Sequence, residues 1–289
     1  MNIKLPENGF KITKKKVLNE QVTLMDIYAP HIAKKVQAGQ FIMLRIHDRG
    51  ERIPLTVADF DKDKGTVTII FQQVGKTTLE LSLLSEGEFI LDFVGPLGIP
   101  THIEGHKKAA VIGGGLGTAI AYPQAKKLFG LGAQVHTIAG FRNKDLVILE
   151  EELTAVSSQV FITTDDGSNG RQGFVTNVLE RLITEGNNYD LVVAIGPLVM
   201  MRAVCGITRT YGIKTIVSMN PIMIDGTGMC GGCRVTVGGE TKFACVDGPD
   251  FDGHLVDFDE AIRRQNTHKE QEKISYEAHI CRLDSQSAH

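Results

Sequence analysis

Over the first hundred residues the chain alternates apolar and polar positions in short runs, and after that it changes to apolar blocks followed by helical spacings. The alternating runs lie at residues 11–18, 22–28, 40–46, 53–59 and 66–72, with one helical stretch at 77–85. Successive strand residues face opposite sides, so such runs read as half-buried strands, and many of them at this spacing predict a small antiparallel barrel. A Gly/Pro-rich stretch, residues 91–100, closes that barrel and marks a boundary. From residue 107 onward, strands are predicted at 109–114, 134–141, 160–164, 191–197 and 214–218. Helices are predicted between them, beginning at 117 and spanning 144–157, 173–185 and 198–211. Alternation of this kind predicts a parallel sheet covered by helices, with 214–218 as its last strand.

A different style follows from residue 223, where Gly226, Gly228, Gly231 and Gly232 crowd a short loop. Residues 234–239 and 242–246 read as a hairpin turning at Gly238-Gly239, and residues 248–257 as a polar turn. The charged tail, residues 259–282, has helical spacing and reads either as a solvated helix or as cover for a partner subunit. Three modules are thus expected: an all-β barrel at 1–100, a Rossmann-like α/β domain at 101–222, and a C-terminal module at 223–289.

A chain of 289 residues suits that division. Its 31 basic and 34 acidic residues give a formal charge of −3, which argues against nucleic acid as the main partner. Mean hydropathy is −0.02, and with no long apolar run or secretory leader the chain is expected to be cytoplasmic and not membrane-spanning. Five cysteines, an odd number with three clustered, point to a cofactor rather than to a disulfide framework.

Three places carry chemistry. Asp225, Cys230, Cys233 and Cys245 are spaced D-x4-C-x2-C-x11-C. Plant-type [2Fe–2S] ferredoxins use C-x4-C-x2-C and a distant fourth Cys, so three thiolates fit and Asp225 stands at the first position. The glycines let the backbone turn and bring N–H groups toward sulfur. A zinc site, and a loop whose cysteines merely pack, are the alternatives; zinc would want a second ligand pair, and His254 is the nearest downstream His. Cys205 and Cys281 have no partner at ligand spacing and read as structural or free thiols. In the barrel, Arg52-Ile-Pro54-Leu55-Thr56 places a cation and a hydroxyl about a proline. Gly75-Lys76-Thr77-Thr78 opens a helix, whose N–H groups suit pyrophosphate, although threonines such as Thr77 and Thr78, taken alone, more often serve just as N-caps. In the α/β part, Gly114, Gly115, Gly117 and Thr118 form a strand–helix turn that resembles G-x-G-x-x-G/A only in part. Two further strand ends, at 164–168 and 196–198, carry polar or glycine-containing turns, and convergence of three such ends indicates a nucleotide site.

Taken together, these motifs resemble the ferredoxin–NADP reductase superfamily over about residues 5–265. The branch resembled is that of the dihydroorotate dehydrogenase B electron-transfer subunits, and within it the small subunits of NADH-dependent ferredoxin:NADP oxidoreductases, also called sulfide dehydrogenases. Residues 218–233 are similar to the cluster signature of that branch, and Asp225 where dihydroorotate enzymes carry Cys points to the bifurcating oxidoreductases. The resemblance implies FAD, one [2Fe–2S] cluster and a pyridine nucleotide. It implies Arg52 on the flavin pyrophosphate, Thr56 near flavin N5, and Gly75–Thr78 as a second pyrophosphate loop. It implies nicotinamide-nucleotide contacts from Gly114, Gly115, Gly117 and Thr118 and from Gly196, Pro197 and Met200. Asp165 and Asp166 would repel a 2′-phosphate and accept from ribose hydroxyls, which favours NAD(H), while Arg142 keeps NADP(H) possible. It also implies a larger partner bearing a second flavin and [4Fe–4S] clusters, in a heterodimer that meets ferredoxin indirectly. The expected activity is hydride exchange between NAD(H) and FAD and single-electron exchange between FAD and the cluster. The alternative is the equivalent subunit of a dihydroorotate dehydrogenase B or sulfide dehydrogenase complex.

Overall fold

The computed structural model describes residues 7–267, 270–274 and 276–277, so Cys281 and the end of the expected tail helix lie outside the described residues. The first sheet is built from β1 (Phe10–Asn19), β2 (Val22–Tyr28), β3 (Phe41–Arg45), β4 (Ile53–Asp61), β5 (Thr66–Gln72), β6 (Phe89–Ile90) and β7 (Asp92–Leu97). Hydrogen bonds run in the order β6-β1-β2-β5-β4-β3-β7, all antiparallel, and the sheet nearly closes into a barrel. The alternation seen in the sequence fills its interior: Met25, Ile27, Ile69 and Phe71 are buried together with Ile42 and Leu44. Two short helices, α1 (Pro30–Ala33) and α2 (Lys76–Leu83), add Ile32 and Leu81 to the same core. Complete burial of Leu81 contributes about 2 kcal/mol and anchors α2 on the barrel core.

The second unit runs β8 (Lys108–Gly114), α3 (Gly117–Gly130), β9 (Gln134–Phe141), α4 (Glu150–Ala155), β10 (Gln159–Thr164), α5 (Val175–Thr184), β11 (Leu191–Ile195), α6 (Leu198–Thr210) and β12 (Thr215–Ser218). After it come the hairpin β13 (Arg234–Val237) and β14 (Glu240–Phe243), then β15 (Asp250–Asp252) and α7 (Phe258–Gln265). The sheet order is β10-β9-β8-β11-β12-β15, with β8 to β12 mutually parallel. Both faces are buried, as a parallel sheet requires. Val111, Val193 and Ala125 pack on one side, and Ile112, Ala194, Leu179 and Met201 on the other. The strand order reverses between β8 and β11, and ligands of open α/β sheets bind at the strand C-termini beside such a reversal.

Three local expectations are corrected. Residues 248–257 are not merely a polar turn, because β15 pairs antiparallel with β12 at the sheet edge. Gly253 permits that approach: a Cβ there would stand 2.5 Å from Cys205 Sγ and 2.8 Å from Val217 Cγ1. The segment 144–157 is not one helix. A 3-10 turn at Lys144–Leu146, capped by Asn143 accepting from the Asp145 N–H at 3.1 Å, gives way before α4 to Leu149 at φ +59°. Burial of Ile148 and Leu149 between barrel and sheet overrides local helix propensity. Finally, α2 is capped by Gly75 and not by a threonine, with Thr78 reaching back to accept from the Gly75 N–H at 3.0 Å.

Candidate functional site

The barrel presents the first cluster of expected residues on one face. Ile53, Leu55 and Val57 of β4 turn toward the barrel core, so Pro54 and Thr56 lie on the outer face and Arg52 is exposed at the strand's start. Thr77 Oγ1 donates to Glu51 Oε2 at 3.1 Å, which ties the entry of β4 to the first turn of α2. Gly75, Lys76, Thr77 and Thr78 therefore sit beside Arg52. A Cβ placed on Gly75 would meet nothing within 4 Å, so the helix start opens on space large enough for an anion. Exposed Arg52 and the start of α2 are the groups that would hold a pyrophosphate here.

The second cluster gathers at the reversal of the parallel sheet. Gly114 ends β8 and Gly196-Pro197 follows β11, and the structure presses the two together. A Cβ on Gly196 would lie 3.1 Å from Gly114 Cα, and one on Gly114 would lie 2.5 Å from Met200 Sδ. Gly117 lets α3 approach β11, since a Cβ there would stand 2.3 Å from Ile195 O. Gly115, at φ +56°, alone among these faces open space. Thr118 is fully buried beneath Gly113 with its hydroxyl unpartnered, so it supports the turn from below. Arg142, Asp165 and Asp166 are exposed at the ends of β9 and β10, and the Asp165 and Asp166 N–H groups bond Phe141 O at 3.0 Å and Arg142 O at 3.3 Å. Asp166 accepts from the Ser168 hydroxyl at 2.7 Å and its N–H at 2.9 Å, and these hold its carboxyl below the usual range.

The third cluster is the loop before β13. Gly226, Gly228 and Gly231 all take positive φ, which side-chain-bearing residues rarely adopt. Cys233 and Cys245 are buried with their sulfurs 3.2 Å apart, whereas Cys230 is exposed. Burial, with the Cys233 thiol beside it, pushes the Cys245 thiol up to about 12. Asp225 Oδ1 accepts from the Thr227 N–H at 2.9 Å and Oδ2 from the Cys230 N–H at 2.9 Å, so its carboxyl is held below the usual range. Among the described residues, no three His, Cys, Asp or Glu side chains converge on a point that would cage a single ion. A two-iron cluster asks for less, because bridging sulfides occupy half of each iron's tetrahedron and two terminal ligands per iron remain. Cys233 and Cys245, with their sulfurs 3.2 Å apart, would serve as one such pair. Asp225 and Cys230, joined through the Cys230 N–H, are the residues that would supply the other two donors.

Packing, unlike spacing, brings in residues that the sequence did not announce. A Cβ on Gly226 would stand 2.8 Å from Met43 Cγ and 3.2 Å from Leu97 Cδ1, so the loop lies directly on barrel strands β3 and β7. Phe41, Met43, Cys233 and Cys245 share one apolar cluster with Leu97. At the junction of all three parts, Asp250 accepts from Thr101 Oγ1 and, at 3.2 Å, from Gln124 Nε2. Its Oδ1 is sealed from solvent without a partner, and burial pushes its carboxyl up to about 6. Arg234 Nη1 donates to Gly231 O at 3.0 Å and Arg264 Nη2 to Gly232 O at 3.2 Å, both inside the cysteine loop. Arg234 follows Cys233 directly and could have been noticed; nothing local marks Arg264.

Comparison with known proteins follows the same division. The iron–sulfur cluster binding domain of dihydroorotate dehydrogenase B matches residues 220–257. An electron transfer subunit homolog of dihydroorotate dehydrogenase B from Thermotoga maritima is 48% identical over 267 residues, 92% of this chain and 94% of that one. The dihydroorotate dehydrogenase B electron transfer subunit of Geobacillus thermodenitrificans is 31% identical over 249 residues, 83% of this chain and 94% of that one. Among solved structures, a chain of NADH-dependent reduced ferredoxin-NADP oxidoreductase, a system of flavin-based electron bifurcation, superposes with a TM-score of 0.89. It is 45% identical, and the match covers 95% of this chain and 99% of that one. The chain is an oxidoreductase subunit with a ferredoxin-reductase-like fold and an iron–sulfur domain, and it belongs to the family of dihydroorotate dehydrogenase B electron transfer subunits and their homologues.

Proposed function

We propose that this chain is the FAD- and [2Fe–2S]-containing subunit through which NAD(H) exchanges electrons in an NADH-dependent ferredoxin:NADP oxidoreductase. One observation carries the reading. The cluster loop rests on Met43 and Leu97, and Phe41 of the same strand pairs in register with Thr56. The cysteine loop thus packs on β3, and β3 is the neighbour in the sheet of β4, which carries Thr56. Bound FAD and a two-iron cluster would supply the exchange between paired and single electrons, which nicotinamide alone does not perform.

The chain's own residues hold and tune. Arg52 and the opening of α2 at Gly75–Thr78 neutralise a pyrophosphate, with Pro54 and Leu55 fixing the strand beside it. The Thr56 hydroxyl would donate to flavin N5, a contribution of about 1 kcal/mol. Gly114, Gly115 and Gly117, with Gly196, Pro197 and Met200, bound the nicotinamide-nucleotide crevice, and Thr118 supports its floor. Asp165 and Asp166 oppose a 2′-phosphate and favour NAD(H) over NADP(H), against the single charge of Arg142. Asp225, Cys230, Cys233 and Cys245 hold the cluster, and no general acid–base pair is required. The modules divide near residues 100 and 222, and the chain acts in the cytoplasm; no described helix is long and apolar enough to cross a membrane.

The partner is a larger subunit with its own flavin and [4Fe–4S] clusters. Exposed Ile222, Ile224, Met229 and Val246 surround the cysteine loop and offer it an apolar seat, with Met229 89% exposed. A dihydroorotate dehydrogenase B or sulfide dehydrogenase complex is the second reading, favoured by the match of the Geobacillus subunit over most of both chains. Anaerobic purification with the partner, followed by absorption and EPR spectra and titration with NADH and NADPH, tests the proposal. Flavin and [2Fe–2S] signals that NADH reduces faster than NADPH are expected. A colourless protein without iron or acid-labile sulfide would refute it, and a partner that oxidises dihydroorotate would select the second reading.

A further inference from the structure

Two of the three peptide groups between Cys230 and Cys233 are held by arginine. Arg234 donates to Gly231 O at 3.0 Å, and Arg264, from the last turns of α7, donates to Gly232 O at 3.2 Å. Neither peptide is cis, so in each the N–H points away from the carbonyl. The N–H opposite Gly231 O is that of Gly232, and it donates to Cys230 Sγ at 3.4 Å. The N–H opposite Gly232 O is that of Cys233 itself. The Arg234 guanidinium thus pins the oxygen of the peptide whose N–H meets Cys230 Sγ, and Arg264 pins the oxygen of the next peptide, which leads into Cys233.

We propose that Arg234 and Arg264 are positioning residues that raise the reduction potential of the cluster. The proposal rests on the reading of Asp225, Cys230, Cys233 and Cys245 as ligands. Three physical contributions act in one direction. Pinned carbonyls on both sides leave the flexible Gly231-Gly232 pair little freedom to flip the Gly232 N–H away from Cys230 Sγ. Hydrogen bonds in series polarise one another, so the charged donor on the oxygen strengthens the N–H···S bond beyond it. Two cations also lie beside a group whose formal charge is about −2 when oxidised, counting two ferric ions, two sulfides, three thiolates and one carboxylate, and about −3 after one electron enters. Neighbouring positive charge favours the more negative state, and partial burial lessens screening at Arg264, which is less exposed than Arg234. Hydrogen bonds to sulfur and local charge are the protein's usual means of setting such a potential.

Arg264 of α7 reaches Gly232 O from outside the loop, and the cavity of about 320 Å³ beside them is lined by Ile222, Ile224, Arg234, Ala261 and Arg264, among others. The C-terminal helix thereby acquires a part in the electron-transfer step although it supplies no ligand.

The test is a potentiometric titration of the [2Fe–2S] EPR signal in the complex with its partner subunit. Arg234→Gln combined with Arg264→Gln keeps an amide donor for each carbonyl and removes both charges. We expect the ratio of reduced to oxidised cluster at a fixed potential to fall at least tenfold, which is a 59 mV lowering for a one-electron couple. Arg264→Ala is expected to lower it further than Arg264→Gln, because the donor is lost as well. Iron and flavin content should match the unaltered protein in the glutamine variant. A glutamine variant that retains its iron and titrates at the unaltered potential overturns the proposal. Absence of iron from the unaltered protein would instead refute the ligand assignment on which it rests.

Discussion

At Gly117 the missing side chain makes room for protein, because a Cβ would stand 2.3 Å from Ile195 O, while at Gly231 the nearest atom to such a Cβ is 3.8 Å away and the demand is φ +65°. The turn after β8 uses glycine to let a helix lie against a parallel strand, and Gly113 and Gly114 serve likewise, close to Thr118 and Met200. The loop before β13 uses Gly231 to turn the backbone between Cys230 and Cys233. Substitution in the first should therefore be felt by the whole sheet, and in the second chiefly by whatever the loop holds.

The largest effect is expected at Gly117→Ala. An added methyl against backbone forces α3 off the sheet, and loss of about 3 kcal/mol should appear as a lower denaturant midpoint. An unchanged midpoint would break the comparison at its first half. Next comes Asp250, where the two regions meet the barrel. Its carboxyl is raised from 3.8 to about 6 by burial, so the folded protein binds an extra proton across that window and stability falls as pH rises through it. The slope corresponds to on the order of 2–3 kcal/mol. Asp250→Asn should abolish it in thermal melts taken at several pH values, while a retained slope would place the titrating group elsewhere.

Gly231→Ala strains a left-handed residue by about 1–2 kcal/mol. Loss of iron without loss of the global unfolding transition is expected, and the reverse pattern would erase the contrast between the loops. The smallest effect on folding belongs to Asp225→Cys, which should keep the cluster and shift its potential. If both potential and EPR signal stay put, Asp225 is not a ligand.

Strand alternation made most of the barrel legible: β2 and β5 fall on the residues expected, because a strand with one buried face writes its register into period two. The parallel strands were equally plain, since burial on both faces demands unbroken apolar runs. Less visible were β15, three residues long and recruited by an existing sheet edge, and the break at Leu149, where long-range burial beats local preference. At the candidate site, the donors of the cluster loop were readable from spacing, because a cofactor held by neighbouring residues leaves a local signature. Met43, Leu97 and Arg264 were not, since each acts across a fold-dependent contact.

Residue types and their intervals alone thus determined the order of barrel, sheet and cysteine loop, and which atoms could ligate iron or meet a phosphate. Only the tertiary structure decided that the loop rests on the barrel strand next to Thr56, that α7 reaches back to Gly232, and that Asp250 is sealed at the junction. The reason is one of range. Periodicity and ligand spacing express interactions within a turn or a strand, whereas close approach between distant segments depends on how whole faces pack, and no short stretch of sequence contains that information.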